Sequence, residues 1–257
     1  MITTHLPGGN VITNFFDPAG QLLERSLRTA GGTALDYFGY THDLTGLRTN
    51  VVRADNTHVE YLFDGIGQLT NAIAYEPNGT TLRKNENFGY TYDAGGNLET
   101  RVNHTLTQNF GVDNANRLTS ATRIGTLTVA GSVNSLAQSV TVNDVGVELY
   151  VDTTFATTNG LTLNNGNNSL TFSAKNAANQ TTSYTENFSL PANVNYTYDL
   201  NGNLLSDGSL GYDYDDSDQL VRITRTNAWK SEFAYDALGR RNARREYTWS
   251  SPLAIGN

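Results

Sequence analysis

Eight copies of one short phrase constrain what this 257-residue chain can fold into. The phrase reads YTYDAGGNL from Tyr90 and YTYDLNGNL from Tyr196. Alignment on its Asp, here Asp93 and Asp199, recovers the other copies: NFFDPAGQL at Asp17, YTHDLTGL at Asp43, YLFDGIGQL at Asp64, FGVDNANRL at Asp113, YDYDDSDQL at Asp215 and FAYDALGRR at Asp236. A unit written this often is a structural repeat before it is a catalytic motif. In most copies aromatic or apolar residues stand one and three places before the Asp. Strand side chains alternate with a period of two, so Tyr90 with Tyr92, Tyr196 with Tyr198, and Phe233 with Tyr235 are expected on one face. Tyr214 holds the later slot before Asp215, and His42 holds it before Asp43.

Three places after the Asp stands Gly20, Gly46, Gly67, Gly96, Gly202 or Gly239, with Asn116 and Asp218 in the other copies. These residue types tolerate positive φ most readily. Asp opening a turn and Gly closing it is the signature of a type I turn whose carboxylate bonds nearby backbone N–H groups. A following residue of positive φ closes a hairpin through a bulge. Leu22, Leu69, Leu98, Leu118, Leu204 and Leu220 then begin return strands. The motif predicts a β-hairpin, and its recurrence predicts a strip of them.

The steps from Asp to Asp are about 26, 21, 29, 20, 86, 16 and 21 residues. Removing about 66 residues from the long step leaves an ordinary one, so the repeat is interrupted rather than lost. The interruption runs over 125–190, where charge nearly vanishes and short alternating runs such as SVTVN, VELYV and SLTFSAK fall between turn clusters at Asn143–Asp144, Asn159–Gly160 and Asn165–Gly166. Several short strands at close spacing predict a small β-sandwich. The expected organisation is repeats over 1–124, the insert over 125–190, and further repeats over 191–257.

Composition narrows the partners. Abundant Gly, Asn and Thr favour strands and turns over helices. A net charge of −8 argues against a general nucleic-acid binder, although RITR at Arg222–Arg225 and GRRNARR at Gly239–Arg245 are locally basic. Cysteine is absent, which removes disulfides and thiolate sites. The stretch MITTHLPGGNVITNFF lacks the basic and apolar regions of a secretory signal, and nowhere do about eighteen apolar residues run together to span a membrane.

The phrases YTYDAGGNL, YTYDLNGNLLSDG and FAYDALGRRNAR resemble the YD repeat of RHS-repeat proteins, the family of bacterial Rhs toxins, the C component of Tc toxin complexes, and the animal teneurins. The insert, with LTVAG, VTVNDVGVELYV and LTLNNGNNSLTFSAKNAANQ, resembles bacterial Ig-like modules of secreted and surface proteins. The resemblance implies an all-β chain: a YD-repeat hairpin strip, part of a β-shell, interrupted by a small Ig-like β-sandwich. It implies a structural, non-enzymatic role in encapsulating or presenting a C-terminal effector or toxin domain absent from this chain. Its partners would be that domain and neighbouring repeats of a longer parent chain, in a secreted or cell-surface setting. Eight repeats are too few to close a shell, and the family's paired D-P-x-G-L self-cleavage motif is not found after Trp249. The single Asp17–Pro18 reads as an ordinary turn, and the tail SSPLAIGN carries no toxin domain, so a fragment of a longer protein is expected. The alternative is a cell-surface adhesion or carbohydrate-binding module, using exposed insert aromatics such as Tyr150 and Phe155.

Other chemistry finds little footing. His5, His42, His58 and His104 are scattered without metal-ligand spacing, and no hydrolase or nucleotide-binding motif occurs. The cluster Asp213, Asp215, Asp216 and Asp218 invites calcium but lacks the glycine and distal glutamate of an EF-hand. Asp199, Asn201 and Asn203 raise the same question. Turn duty is the reading preferred for both clusters, and no cofactor or metal is expected.

Overall fold

Alternating side chains and closely spaced turn residues leave the chain no stretch suited to a helix. A computed structural model describes residues 1–134 and 137–249, and each regular element among them is a β-strand. The SSPLAIGN tail lies outside the described residues. The first repeats supply β1 (Ile2–His5), β2 (Val11–Phe16), β3 (Leu22–Arg28), β4 (Ala34–His42), β5 (Arg48–Arg53), β6 (His58–Phe63), β7 (Leu69–Tyr75), β8 (Leu82–Tyr92), β9 (Leu98–Asn103), β10 (Leu106–Val112) and β11 (Leu118–Gly125). The insert supplies β12 (Ala130–Ser132), β13 (Ala137–Val142), β14 (Val145–Leu149), β15 (Thr154–Thr157), β16 (Gly166–Asn176) and β17 (Thr181–Leu190). After it come β18 (Asn193–Asn195), β19 (Thr197–Tyr198), β20 (Leu204–Ser206), β21 (Gly211–Tyr214), β22 (Leu220–Arg225), β23 (Trp229–Tyr235) and β24 (Arg241–Thr248). Two compact units share these strands: Met1–Asn109 with Arg123–Ala192, and Phe110–Thr122 with Asn193 onward.

In the first unit, β1 to β9 form an antiparallel meander, and β10 joins it from Leu106 to Asn109. Its apolar face is organised in cross-strand rows. Tyr40 stands opposite Val51, Val51 opposite Val59, and Val59 opposite Ala74. Tyr61, Ala72 and Phe88 make a second row. Val51, Val59, Ala72 and Ala74 are buried, with Phe38, Tyr40, Tyr61, Leu69 and Phe88 packed against them. Along single strands Phe38 stacks on Tyr40, and Phe88 on Tyr90, each pair 6.4 Å apart. Such opposed and stacked pairs hold strand register as well as burying area.

The insert folds with this unit and has an interior of its own: Val129, Val140, Val142, Phe155, Leu161 and Leu170, flanked by Phe172 and Phe188. Its strands hydrogen-bond as one six-stranded sheet in the order β12-β15-β14-β13-β16-β17, rather than as two separate sheets. Strand β14 makes the corner. Its Val145 and Gly146 pair with β13, and its Val147 to Leu149 pair with β15. The backbone at the insert's ends is closed by a bond from Arg123 N–H to the Ala192 carbonyl, 2.9 Å. The Arg123 guanidinium clamps the same exit through the carbonyls of Leu190 and Asn164, both at 2.6 Å.

In the second unit β11 pairs with β18, Ser120 opposite Asn195 and Thr122 opposite Asn193. A six-stranded antiparallel meander runs from β19 to β24.

Candidate functional site

The repeated phrase builds the same turn eight times, at one end of each hairpin. In every copy one carboxylate oxygen, Oδ1 of Asp17, Asp43, Asp64, Asp93, Asp113, Asp199, Asp215 or Asp236, accepts the N–H four residues on, at 2.8–3.0 Å. In seven copies the same oxygen also accepts the N–H two residues on. The backbone N–H three residues on closes the turn to the Asp carbonyl, and that residue has φ between +58° and +91°. Asn116 and Asp218 adopt the left-handed conformation in the two copies without glycine there, as their short polar side chains permit. In five of the copies these bonds hold the carboxyl group below its ordinary range. For Asp43 the leading cause is the Thr45 hydroxyl, for Asp93 and Asp199 the Asn97 and Asn203 amides, and for Asp113 and Asp236 the backbone N–H of Arg117 and Arg240.

Neighbouring turns touch in a regular way. The residue four places after one Asp lies beneath the glycine of the next turn. A Cβ added to Gly46, Gly96 or Gly239 would meet Nε2 of Gln21, Gln68 or Gln219 at 3.1, 3.2 and 3.1 Å. In the second unit Asn203 takes the lower place, and its amide donates to Oδ1 of Asp218 at 2.6 Å. Tyrosine makes a second stitch. Tyr92, Tyr198 and Tyr235, each just before its Asp, donate from the hydroxyl to the carbonyls of Leu69, Leu118 and Leu220, at 2.9, 2.8 and 2.9 Å. Each accepting leucine opens the return strand of the preceding copy. Tyr214 occupies the same slot, where burial and then the Asp199 charge push its phenol up. His42 sits there too, with Nδ1 buried and lacking a partner among the described residues.

A second locus joins the insert to β8. Arg83, 2% exposed, donates from Nη1 to Glu76 at 2.7 Å, from Nε to Glu86 at 2.8 Å and from Nη2 to Asp152 at 2.9 Å. It also lies over the Tyr150 ring, 4.7 Å from the centroid. Arg53 on β5 reaches Glu86 at 2.5 Å, and Lys84 reaches Glu148 at 2.6 Å. Backbone groups complete the seam: Val151 N–H donates to Glu76 Oε2 at 2.9 Å, and Lys84 N–H to the Tyr150 hydroxyl at 2.8 Å. Burial pushes the Tyr150 hydroxyl up to about 12. Burial also tends to raise Glu86 and Asp152, but Glu86 is held low by its bonds to Arg53 and Arg83, and Asp152 by Thr154 and Arg83. His104 lies at the same seam, Nδ1 3.1 Å from the Thr128 hydroxyl, its basicity lowered by burial and then by Lys84.

One expectation needs correction. Tyr150 and Phe155 are 5% and 4% exposed, so neither offers a ring to a sugar. Tyr150 is covered by the seam with β8, and Phe155 belongs to the insert's interior. The acidic residues of YDYDDSDQL are dispersed. Asp213 pairs with Arg222 at 2.7 Å, Asp215 holds its turn, and Asp218 accepts from Asn201 and Asn203. Among the described residues no group of three His, Asp or Glu side chains gathers to hold a metal. His58 stacks on Tyr75, 5.1 Å away, and is remote in sequence role from His42 and His104.

The Arg83 cluster escaped the repeat pattern. Its trace was the 29-residue step from Asp64 to Asp93, which an eleven-residue β8 accounts for by running back to Leu82.

Comparison with known proteins bears on the repeats. Residues 150–251 match the family model described as Teneurin YD-shell. Among solved structures the chain is similar to "Crystal Structure of TcdB2-TccC3-Cdc42", 16% identical over 93% of this chain and 12% of that one, with a TM-score of 0.42. It is similar also to "Crystal Structure of TcdB2-TccC3-TEV", 15% identical over 98% of this chain and 13% of that one, with a TM-score of 0.44. The chain thus spans about an eighth of the length of each. No curated protein matches it.

Proposed function

We propose, on the footing that this is an RHS/YD-repeat chain, that it forms part of the wall of a β-shell enclosing or presenting an effector domain carried elsewhere in a longer polypeptide. The observation that supports this is the ladder of turns. Within each unit, a side chain four places after one Asp sits beneath the next turn: Gln21, Leu47 and Gln68 under Gly46, Gly67 and Gly96, and Arg117, Asn203 and Gln219 under Gly202, Asp218 and Gly239. A strip with such contacts lengthens by repetition, as solenoid-like assemblies do, and has no internal signal to stop. The insert then rides on this wall as a side module, pinned by Arg83. A secreted or cell-surface setting goes with this role.

The test is cryo-electron microscopy of the complete gene product, together with protease digestion. The expected result is a hollow β-walled body in which these residues lie in the wall and the effector segment resists protease until the wall is opened. An extended strip with no lumen, or an effector cleaved at the same rate with and without the wall, overturns the proposal.

A further inference from the structure

The seam between the insert and β8 is well bonded and imperfectly fitted. Against β7 the register of β8 shifts: Ile73 stands opposite Asn87 and Tyr75 opposite Leu82, so residues 83–86 bulge out against Ala74 alone. On the other side β9 ends at Asn103, opposite Phe88, and the bulge lies past that end. A bulge re-aims side chains and frees backbone groups from the ladder. This one turns Arg83, Lys84 and the Lys84 N–H toward the insert segment 148–152, ELYVD. Glu148 takes Lys84, Asp152 takes Arg83, and the Tyr150 hydroxyl accepts the Lys84 N–H at 2.8 Å. The bulge sits inside the meander, between β7 and β9, away from both ends of the strip.

Two observations mark the misfit. Thr153, beside Asp152, has φ +66°, where a β-branched residue is strained. The turn demands it: Thr153 N–H donates to the Tyr150 carbonyl at 3.1 Å, and Tyr150 N–H to the Thr154 carbonyl at 2.8 Å. Within the bulge, Asn85 Oδ1 is buried and has no hydrogen-bond partner among the described residues. A buried acceptor left unpaired costs stability, and backbone strain persists only where its surroundings hold it, as in clamps and switches. Charge names what the site takes. With the insert lifted away, the three cations Arg53, Arg83 and Lys84 face the two carboxylates Glu76 and Glu86, an excess of one positive charge.

We infer that residues 83–86 form a docking socket for an acidic peptide segment of a second protein, and that residues 148–152 of the insert occupy it in cis as an autoinhibitory stand-in. The incoming segment carries carboxylates four residues apart, matching Glu148 and Asp152, and forms charge-assisted bonds to Lys84 and Arg83. It makes these contacts without the strained Thr153 turn, and an amide N–H on it can pair Asn85 Oδ1. The inference rests on the bulge and its occupant, and stands whether or not the wall encloses a cargo.

The experiment uses the full 257-residue chain, isotope-labelled for amide NMR. Two probes are titrated: acetyl-VELYVDTT-amide, which copies residues 147–154, and the same peptide with Gln for Glu and Asn for Asp. The acidic peptide should shift the amides of residues 82–86 and bind roughly fivefold tighter than the neutral one. Its affinity should rise about tenfold in the double variant Glu148→Gln, Asp152→Asn, where the cis segment competes less. Tyr150→Phe keeps the ring and removes only the hydroxyl over the Lys84 N–H; it should give a smaller rise, and it decides the matter if the double variant does not fold. Thr153→Asn relieves the turn and should slow Lys84 amide exchange roughly fivefold. Equal binding of the two peptides, no rise in the loosened variants, shifts confined to other strands, unchanged or faster Lys84 exchange in Thr153→Asn, or no binding to any form overturns the inference.

Discussion

Two regions of the first unit are stabilised by different means. The insert closes on itself: Val142 is fully buried, six apolar side chains form its interior, and the corner strand β14 turns its sheet. The repeat meander's buried apolar cluster is smaller: Val51, Val59, Ala72 and Ala74. It relies instead on local contacts: a carboxylate in each turn, a side chain under Gly46, Gly67 and Gly96, and the Tyr92 hydroxyl on the previous strand. The difference is between a core that closes on itself and a file of local contacts. A closed core fails as a whole when its centre is removed, whereas a ladder loses one rung at a time.

The comparison can be broken most severely at the insert. Phe155→Ala should destabilise it by about 3–5 kcal/mol, the usual cost of emptying an aromatic site. Hydrogen exchange should then lose protection across β12 to β17 while β2 to β7 keep theirs. Equal loss in both regions would mean that insert and meander are one cooperative fold.

Arg83→Met should cost about 3 kcal/mol, since it leaves Glu76, Glu86 and Asp152 gathered without their cation. The readout is protease cutting at the seam before either region unfolds. Acid should act on the same place. Glu86 and Asp152 have folded-state values held below their unfolded ones, so their contribution is full above about pH 4 and is lost as pH falls through the folded values. His104, also depressed, starts the loss earlier, below about pH 6.5. A seam that holds unchanged from pH 7 to pH 3 would contradict this account of its charges.

Within the ladder the expected effects are smaller. Gly96→Val forces a branched side chain into positive φ and against Gln68, at about 2 kcal/mol, whereas Gly96→Asn should cost well under half of that. Chemical unfolding of the two variants measures the gap, and a gap of zero would remove backbone conformation as the reason for glycine. Tyr92→Phe deletes one hydroxyl bond to Leu69 and should cost about 1 kcal/mol, with exchange rising at β7 and β8 only.

The repeat turns were legible because their chemistry is local. Asp93, Gly96 and Asn97 lie within five residues and satisfy one another, so the phrase carries its own geometry. The turns at the other end of the hairpins carry no common phrase. Arg53–Thr57, Thr29–Thr33 and Glu76–Thr81 reach similar bonds through Asn56, Gly32 and Gly79 with different flanking residues. The seam was illegible for the opposite reason. Arg83 and Asp152 are far apart in sequence, and nothing near either one names the other. The aromatics misled in a related way. Tyr150 reads as an exposed polar ring in VELYV, and what covers it is backbone and charge from another part of the chain.

The turn makes very few demands. It needs a carboxylate first, a residue able to sit at positive φ fourth, and backbone between them. The side chains of Leu44, Ile66, Leu200 and Leu238, on the positions in between, are exposed, and the turn uses only the backbone of these residues. Those positions are free to drift. A sequence can therefore rewrite these turn tips, hydrophobic or polar, charged or neutral, without renegotiating the architecture beneath, and the tips become the place where such a protein can acquire new dealings with its surroundings at the least structural risk.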